Sequence, residues 1–519
     1  KPHHLPGSEE TSLPRLMWHP RLPCEYSKLL ARWHRKRWRE YPQSREKKGV
    51  AGRMSAEIPS KVVINLSILV LGAMVMILNE TSLSVALPAI MADYGIPATS
   101  AQWLLTGFML TMAVVIPTTG YLLERLTTRQ IFFASAGFFL AGTVVAALAP
   151  SFVALLLGRV LQAGGTALMI PTLMTVAMTL VPPQRRGTVM GIISVVISVA
   201  PALGPTVGGA ILNRFTWHVI FWAMVPLIAL ILVAGLWRLS DVGENRDTPL
   251  DGPSVLLSAC AFGGLVYGLS SIEKMLQGGA WVDITVTVVG VIALIVFIRR
   301  QRRLALEDRA LMDMRPFRVR NFTLAVLILV LSFGLMLGMV TVLPIYLQTT
   351  LGVTAFATGL AVMPGGILQA FLSPIVGRLF DSYGPRPLMI PGSLFMVASL
   401  WLLATLGENS AVWMVVGMHV LFSFGMCLMM TPLMTTALSS LPEKLYSHGS
   451  AIMNTFQQLA GAMGTAFLVV FLTRGTQAGV AAGMGPAAAT AQGTHWAFLF
   501  AGVAGTAIAV IAPLLKRVN

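Results

Sequence analysis

Long apolar segments follow one another along most of the chain, separated by charged residues or by short stretches with proline and glycine. Most are about 18 residues or longer, the length that an α-helix needs to cross the hydrocarbon core of a bilayer. They lie near residues 62–91, 101–122, 131–149, 152–178, 187–212, 218–238, 253–271, 281–299, 322–347, 355–379, 387–405, 412–437, 448–473 and 495–515. The pattern predicts fourteen membrane-spanning helices, so the expected fold class is all-α and polytopic.

The sequence also matches itself at an offset near 257 residues, because Gly120–Arg125 aligns with Gly377–Ser382 and Leu87-Pro88 with Leu343-Pro344. The match predicts two related six-span bundles that flank an unmatched pair, spans 7 and 8. Parallel repeats of this kind place a binding site at their interface near the membrane midplane, as in transporters. The predicted parts are a basic extension (1–60, disordered or dispensable), a first bundle (61–240), two extra spans with a cytoplasmic linker (241–320) and a second bundle (321–519).

Charge is scarce and unevenly placed. Only 11% of the residues are charged, compared with about 25% in soluble proteins. Of the 37 Lys and Arg residues, 33 lie in the N-terminal tail or in even-numbered connections when the N-terminus is placed inside. The positive-inside rule therefore predicts a multi-pass protein of the cell (inner) membrane with both termini in the cytoplasm. The basic tail suits anionic lipid or nucleic acid, and we expect no nucleic-acid partner.

Motifs for several kinds of chemistry are missing from the sequence. It contains no Gly-Lys pair, hence no phosphate-binding loop of the Gly-Lys-Ser/Thr type, and no CxxC, HExxH or GxSxG motif. Its 3 cysteines are too few for a disulfide framework. We therefore expect no enzymatic activity, no metal site and no cofactor.

Two ionisable residues lie deep within the predicted spans: Glu80 in span 1 and Arg159 in span 4. A charged side chain at the bilayer centre costs about 2.5–3.5 kcal/mol and is a functional candidate by default. At a rise of about 1.5 Å per residue, their depths agree within about 5 Å. The two residues are predicted to couple transport to protons, with Glu80 binding and releasing the proton. A static pair that fixes spans 1 and 4 stays an alternative.

Other polar side chains in the spans are candidates for a secondary role. His419 in span 12 is a possible second titratable group, although a lone membrane histidine also serves as a hydrogen-bonding residue between helices. For the three candidates on span 13, a polar route and bonding between helices are equally good interpretations. The predicted cavity or route residues are Asn79, Thr81, Gln162, Asn454, Gln457 and Gln458.

A third set of residues is predicted to gate conformational change. Small residues let helices approach closely and proline bends a helix. Charged groups at the cytoplasmic helix ends make ion pairs and helix-terminus contacts that hold the bundles together in one state. The predicted gating residues are Gly120, Glu124, Arg125, Arg129, Gly204, Pro205, Gly208, Gly209, Gly377, Asp381 and Arg386.

These stretches resemble motifs of the major facilitator superfamily, and more closely those of its fourteen-span drug:proton antiporters of the EmrB/QacA type. Residues 120–129 resemble motif A and residues 377–386 its second-half copy. Residues 159–164 resemble motif B, whose arginine is tied to proton coupling, and residues 204–209 resemble motif C, which is associated with exporters.

Span 1 departs from the pattern of that subfamily. The usual Leu-Asp-x-Thr is Leu78-Asn79-Glu80-Thr81 here, so the carboxylate has moved by one residue, about 100° around the helix. Glu80 therefore occupies either the coupling position of the family or a place in substrate recognition.

The resemblance implies the major facilitator fold (6+2+6) and proton-coupled export of lipophilic compounds, with cationic ones among the candidates, by alternating access. The expected partners are the lipid bilayer, a small lipophilic substrate and protons; a periplasmic adaptor stays an open question. One alternative is an exporter of a single endogenous molecule, such as a siderophore, an amino acid or a lipid. Another is a membrane scaffold or sensor that transports nothing.

Overall fold

The computed structural model describes residues 59–242, 251–278 and 281–516. These residues contain fourteen helices of at least 19 residues and no strand, so the all-α prediction is confirmed. We label them in chain order: α1 Ser60–Tyr94, α2 Trp103–Arg125, α3 Thr128–Ala147, α4 Phe152–Leu180, α5 Arg186–Leu212, α6 His218–Arg238, α7 Gly252–Ser270, α8 Trp281–Leu304, α9 Arg320–Ile345, α10 Ala355–Tyr383, α11 Arg386–Ala404, α12 Val412–Ser439, α13 Tyr446–Ala481 and α14 Pro486–Ile511. The predicted basic extension lies almost wholly outside the described residues.

Thirteen helices of the described part are long and apolar enough to cross a membrane. The other long helix, α5, has 27 residues, and the exact number of fourteen spans stays a prediction. The predicted bounds of the last two spans are too narrow, since α13 continues to Ala481 and α14 already begins at Pro486. Their additional turns are rich in Ala, Gly and Thr, which form helices without contributing much hydropathy.

Local signals set several helix ends. Thr127 and Gln130 form a capping box at the start of α3, each side chain bonding the other residue's backbone N–H. Ser151 caps α4 by accepting a hydrogen bond from the Ala154 N–H. Gly95 ends α1 with φ of +62°, a conformation that glycine adopts at little cost.

The helices pack as two sets with the same internal arrangement. In the first set, α1 contacts α4, α5 and α6, and α3 contacts α4 and α6; α9–α14 repeat these pairs in the same order. Two seams join the sets, α5 with α10 and α2 with α13, and these are also equivalent under the repeat. The predicted part boundaries at 60, 240 and 320 stay predictions.

The unmatched helices α7 and α8 pack on each other, and α7 contacts α2 and α13. The extra pair therefore lies beside one of the two seams. Residues 305–319 connect α8 to α9 and include two short 3-10 turns, Ala305–Glu307 and Arg315–Arg318.

Candidate transport site and gates

Arg159 in α4 is fully buried among neutral partners. Its Nη1 donates to Asn79 Oδ1 in α1 at 3.3 Å and to Gln162 Oε1 at 2.9 Å, and its Nε donates to the Leu104 carbonyl at 3.4 Å. The guanidinium carbon lies 4.1 Å from the centre of the Phe108 ring. A buried cation is tolerated when acceptors and an aromatic face surround it, and this cluster supplies both.

The cluster is continued by Gln162, whose Nε2 donates to Thr143 Oγ1 at 2.9 Å. Asn79 Nδ2 and Arg159 Nη2 are buried and have no hydrogen-bond partner among the described residues. The structure thus brings three predicted site residues together: Asn79, Arg159 and Gln162.

Glu80 follows Asn79 but points elsewhere, since consecutive residues differ by about 100° around a helix. It is partly exposed, and its carboxylate makes no hydrogen bond and no ion pair within the part of the chain that the structure describes. Glu80 and Arg159 attract each other electrostatically without direct contact. The structure therefore does not form the static ion pair that the sequence left open; Asn79 takes that place beside Arg159.

Thr81 lies where α1 packs against α5. Its Oγ1 donates to the Ile77 carbonyl of its own helix at 3.0 Å and approaches the Ala200 carbonyl of α5 at 3.4 Å. A methyl group at Gly204 would overlap the Thr81 hydroxyl, and one at Gly208 would lie 2.8 Å from the Ser82 carbonyl oxygen. These two predicted gating glycines thus permit close packing of α1 on α5.

The remaining residues of that stretch differ from Gly204 and Gly208. Pro205 is exposed, and a methyl group at Gly209 would meet nothing within 4 Å. The structure assigns neither of them a packing contact.

His419 lies within the second set of helices, where α12 packs against α10. It is 7% exposed, and its Nδ1 has no hydrogen-bond partner among the described residues. A methyl group at Gly365 of α10 would lie 2.9 Å from His419 Nε2. Because Gly365 has no side chain, the imidazole fits between the two helices.

Two of the three polar candidates of α13, Asn454 and Gln458, contact the first set of helices. Asn454 Nδ2 lies 3.4 Å from Met174 Sδ of α4, and Gln458 Nε2 lies 3.7 Å from Met112 Sδ of α2. Gln457 is 8% exposed, and its Nε2 finds no partner in the described part of the chain. Asn454 and Gln458 thus lie between the two sets, where the repeat predicts a binding site.

At the end predicted to be cytoplasmic, Asp381 of α10 receives the first turn of α5. The Gly187 and Thr188 N–H groups donate to its carboxylate at 2.7 and 2.8 Å, and the Thr188 hydroxyl donates at 2.7 Å. A carboxylate is favoured at a helix N-terminus, where N–H groups lack partners. A methyl group at Gly377 would overlap the Gly187 carbonyl, so the two backbones touch at this seam.

The equivalent seam uses a different contact. Glu124 Oε1 of α2 lies 3.1 Å from His448 Nε2 and 3.5 Å from Ser447 Oγ, both in α13. A methyl group at Gly120 would lie 2.7 Å from His448 Nδ1. Glu124 and Gly120 therefore act at the same contact between the sets.

Three predicted gating arginines make hydrogen bonds within their own set of helices. Arg125 Nη1 donates to the Tyr121 hydroxyl at 2.8 Å. Arg129 donates its backbone N–H to Asp241 and its Nη2 to the Leu236 carbonyl at 3.2 Å. Arg386 Nε donates to the Leu515 carbonyl at 2.8 Å. In these contacts each arginine joins neighbouring turns or helices of its own set.

Sequence reasoning missed His448, although a signal was present. Under the repeat, Tyr446-Ser447-His448 occupies the position of Arg186-Gly187-Thr188, whose backbone and hydroxyl bind Asp381. Glu124 occupies the position of Asp381 in the repeat, so its expected partner is the residue equivalent to Thr188, which is His448.

The comparisons with known proteins identify the family to which this fold belongs. A model of the Major Facilitator Superfamily matches residues 69–465. The chain belongs to the major facilitator superfamily. Its polytopic membrane character follows from this membership and from its apolar helices.

Among its relatives is the lincomycin resistance protein LmrB of Listeria monocytogenes, 38% identical over 81% of this chain and 90% of the relative. The multidrug export protein EmrB of Haemophilus influenzae is 29% identical over 76% of this chain and 77% of its own length. These relatives confirm the resemblance to the EmrB/QacA type.

Among solved structures, the human organic anion transporter MFSD10 superposes with a TM-score of 0.63 over 87% of this chain and 99% of its own. At 14% identity it supports the fold alone.

Proposed function

We propose that the chain is a proton-coupled secondary transporter that exports lipophilic compounds, cationic ones among them, by alternating access. The observation that carries the proposal concerns Glu80: the residue lies in a membrane helix and is partly exposed, and its carboxylate bonds to no described residue. In a chain of the major facilitator superfamily, such a group is available to a proton or to a substrate. The names of LmrB and EmrB favour antibiotics and other drugs as substrates.

The surroundings of Arg159 support this role for Glu80. Asn79, Gln162 and a backbone carbonyl satisfy the guanidinium without an acid, so Glu80 is not needed to hold α1 on α4. Protonation of Glu80 then changes the charge of the site without breaking a structural ion pair. A difference in proton and substrate affinity between the two transporter states would drive the exchange.

The contacts at the predicted cytoplasmic end support alternating access. Asp381 with the first turn of α5, and Glu124 with His448, join the two sets of helices there. Arg186 Nη1 also donates to the Tyr446 hydroxyl at 3.0 Å. The conformation is therefore closed at that end, and opening it requires these contacts to separate. Asn454 and Gln458, which lie on α13 between the two sets, are our candidates for the substrate route.

The test is pH-driven uptake into proteoliposomes with lincomycin and with a lipophilic cation, for the wild type, Glu80→Gln and Glu408→Gln. Glu408 is exposed in the loop between α11 and α12, so it controls for the same chemical change away from the site. We expect Glu80→Gln to lose pH-driven accumulation, because an amide does not bind and release a proton in this pH range, and to keep downhill exchange. Full coupling in Glu80→Gln would refute the assignment.

The substrate panel separates the remaining alternatives. Broad, mutually competing substrates would support a drug exporter, and one accepted endogenous molecule would indicate a dedicated exporter. Absence of any flux in a folded wild-type protein would favour the scaffold or sensor.

A further inference from the structure

The connection between α8 and α9 is buried where a loop would ordinarily be exposed. Residues 310–313 are each no more than 7% exposed. Connections usually run over the surface, because a buried backbone N–H or C=O group needs a hydrogen-bond partner. The partners of this segment therefore show what it is fastened to.

On one side the segment is fastened to the extra helix pair. The Met312 N–H donates to Gln301 Oε1 of α8 at 3.2 Å, and Gln301 Nε2 donates to Ser254 Oγ of α7 at 2.7 Å. Gln301 and Ser254 are fully buried. A single glutamine side chain thus joins α7, α8 and the connection.

On the other side the segment is fastened to the α2–α13 seam. The Asp313 N–H donates to His448 Nδ1 at 3.3 Å, and His448 Nε2 faces Glu124 at 3.1 Å. Because Nδ1 accepts a hydrogen bond, the neutral ring carries its hydrogen on Nε2 and donates it to the carboxylate. His448 therefore contacts the connection and α2 with its two ring nitrogens.

The segment is also held in shape by its own residues. The Asp313 carboxylate is 1% exposed and accepts from the Arg315 N–H at 2.7 Å and from Arg315 Nε at 2.5 Å. Phe317 packs edge-on against Phe322 of α9 and Phe456 of α13, with ring centres 5.7 and 5.8 Å apart. The connection is thus ordered against the second set of helices.

We propose that residues 305–318, which we call the linker strap, help to keep the predicted cytoplasmic end closed by fastening the α7–α8 pair to the α2–α13 seam through His448. The extra pair then controls opening instead of adding only lipid-facing surface. Helix α7 contacts both α2 and α13. Separation of α2 from α13 breaks the His448–Glu124 contact, and when the α7–α8 pair stays with α2, the strap must leave either His448 or Gln301. His448 and Gln301 are positioning residues in this device.

The strap rests on the proposed function only in assuming that the two sets separate during transport, so its test uses a distance and not flux. Spin labels are placed at Gln184 and Lys444, which are exposed in equivalent turns before α5 and α13. The protein is the full chain without its native cysteines, in nanodiscs, and pulsed electron resonance gives the fraction of molecules open at that end. No substrate or pH gradient is present.

Substitutions of His448 separate its two contacts. His448→Asn keeps an acceptor near the Nδ1 position for the strap but does not reach Glu124, whereas His448→Gln reaches Glu124 and gives up the Nδ1 acceptor. His448→Ala loses both, and Gln301→Met releases the strap from α8. Loss of one hydrogen bond shifts a two-state equilibrium roughly 2- to 12-fold.

We expect His448→Gln and Gln301→Met each to raise the ratio of open to closed molecules by that factor, His448→Ala to raise it at least as much, and His448→Asn to raise it less. The matched control is Gln492→Met in α14, since Gln492 makes no hydrogen bond among the described residues. An unchanged ratio in Gln301→Met and His448→Gln would overturn the strap. Opening in His448→Asn and His448→Ala, but not in His448→Gln or Gln301→Met, would assign the gate to Glu124 without the strap.

A second measurement needs no substitution. Hydrogen exchange of the wild type in nanodiscs should find the Met312 and Asp313 amides protected to the level of the adjoining helix ends. Exchange at the rate of an exposed loop would also overturn the proposal.

Discussion

At the residue scale, one step along α1 separates a buried, hydrogen-bonded side chain from a partly exposed one. Asn79 is fully buried against Arg159, whereas Glu80 is partly exposed and bonds to no described residue. Arg159 is held by neutral oxygens on three sides and by the Phe108 ring. The geometry of the guanidinium, with donors in a fixed plane, suits this cluster better than a point charge would.

We therefore expect Arg159→Lys to destabilise the protein by about 2 kcal/mol, although the charge is conserved, because an ammonium cannot reach all the acceptors that the guanidinium bonds. Thermal unfolding in detergent measures the loss. Arg214→Lys, at an exposed position between α5 and α6, is the control and should leave the midpoint unchanged. Equal midpoints for both variants would show that charge alone matters at Arg159.

At the element scale, the two seams achieve one kind of closure by different contacts. In the α5–α10 seam the Gly377 and Gly187 backbones touch, and Asp381 binds N–H groups of α5. In the α2–α13 seam, a histidine side chain takes over the bond to the acid. Backbone contact leaves no room for a side chain, so the first seam depends on glycine.

Gly377→Ala is expected to destabilise the closed state by about 1–3 kcal/mol, the usual cost of overpacking. The fraction of open molecules, measured from the distance between spin labels at Gln184 and Lys444, should rise accordingly. Gly137→Ala in α3 is the matched control, because a methyl group there meets nothing within 4 Å. An unchanged open fraction in Gly377→Ala would contradict the backbone contact between Gly377 and Gly187.

The extra helices are joined by an ion pair whose pH dependence follows from its pKa. Arg300 Nε lies 2.7 Å from Asp251, and this hydrogen bond lowers the pKa of Asp251 to about 2 from its ordinary 3.8. A lowered pKa means that the stabilisation is complete above about pH 4 and is lost as the pH falls through about 2.

Asp251→Asn should therefore lower the stability only modestly, because Arg300 is 39% exposed and water screens the pair. The difference from the wild type should be the same at every pH from 5 to 8. Thermal unfolding across that range checks this. A difference that grows or shrinks with pH would mean that another group titrates with the pair.

At the scale of the whole molecule, the repeat accounts for both the packing within each set and the two seams between the sets. Helices α1–α6 and α9–α14 use the same internal pairs, and the two seams between them are equivalent. A site enclosed between such sets can be exposed on one side and then on the other by a rotation of one set against the other.

The orientation in the membrane is a prediction of the positive-inside rule, and impermeant thiol labelling of intact cells tests it. Single cysteines at Gln184 and Lys444 should stay unlabelled, while those at Arg214 and Glu408 should react; all four positions are exposed. Gln184 and Arg214 lie at opposite ends of α5, so this pair also tests whether α5 crosses the membrane. Labelling of both would contradict the fourteen-span topology.

The sequence by itself determined the helices, the repeat and the deep polar residues. The free energy of placing apolar and charged groups in a bilayer depends mainly on local composition, so hydropathy and charge reveal the spans and single out Glu80 and Arg159. The shared motifs led correctly to the superfamily. Span ends rich in Ala and Gly, as in α13 and α14, were less well defined because they carry little hydropathy.

Only the tertiary structure decided which groups meet. Whether Asn79 or Glu80 faces Arg159 depends on how α1 is rotated against α4, and the contacts of all the neighbouring helices set that rotation. The bond from the strap to His448 joins residues 135 positions apart, and no local pattern specifies it. Hydrogen bonds require direction and close approach, which are properties of the packed chain and not of any one of its segments.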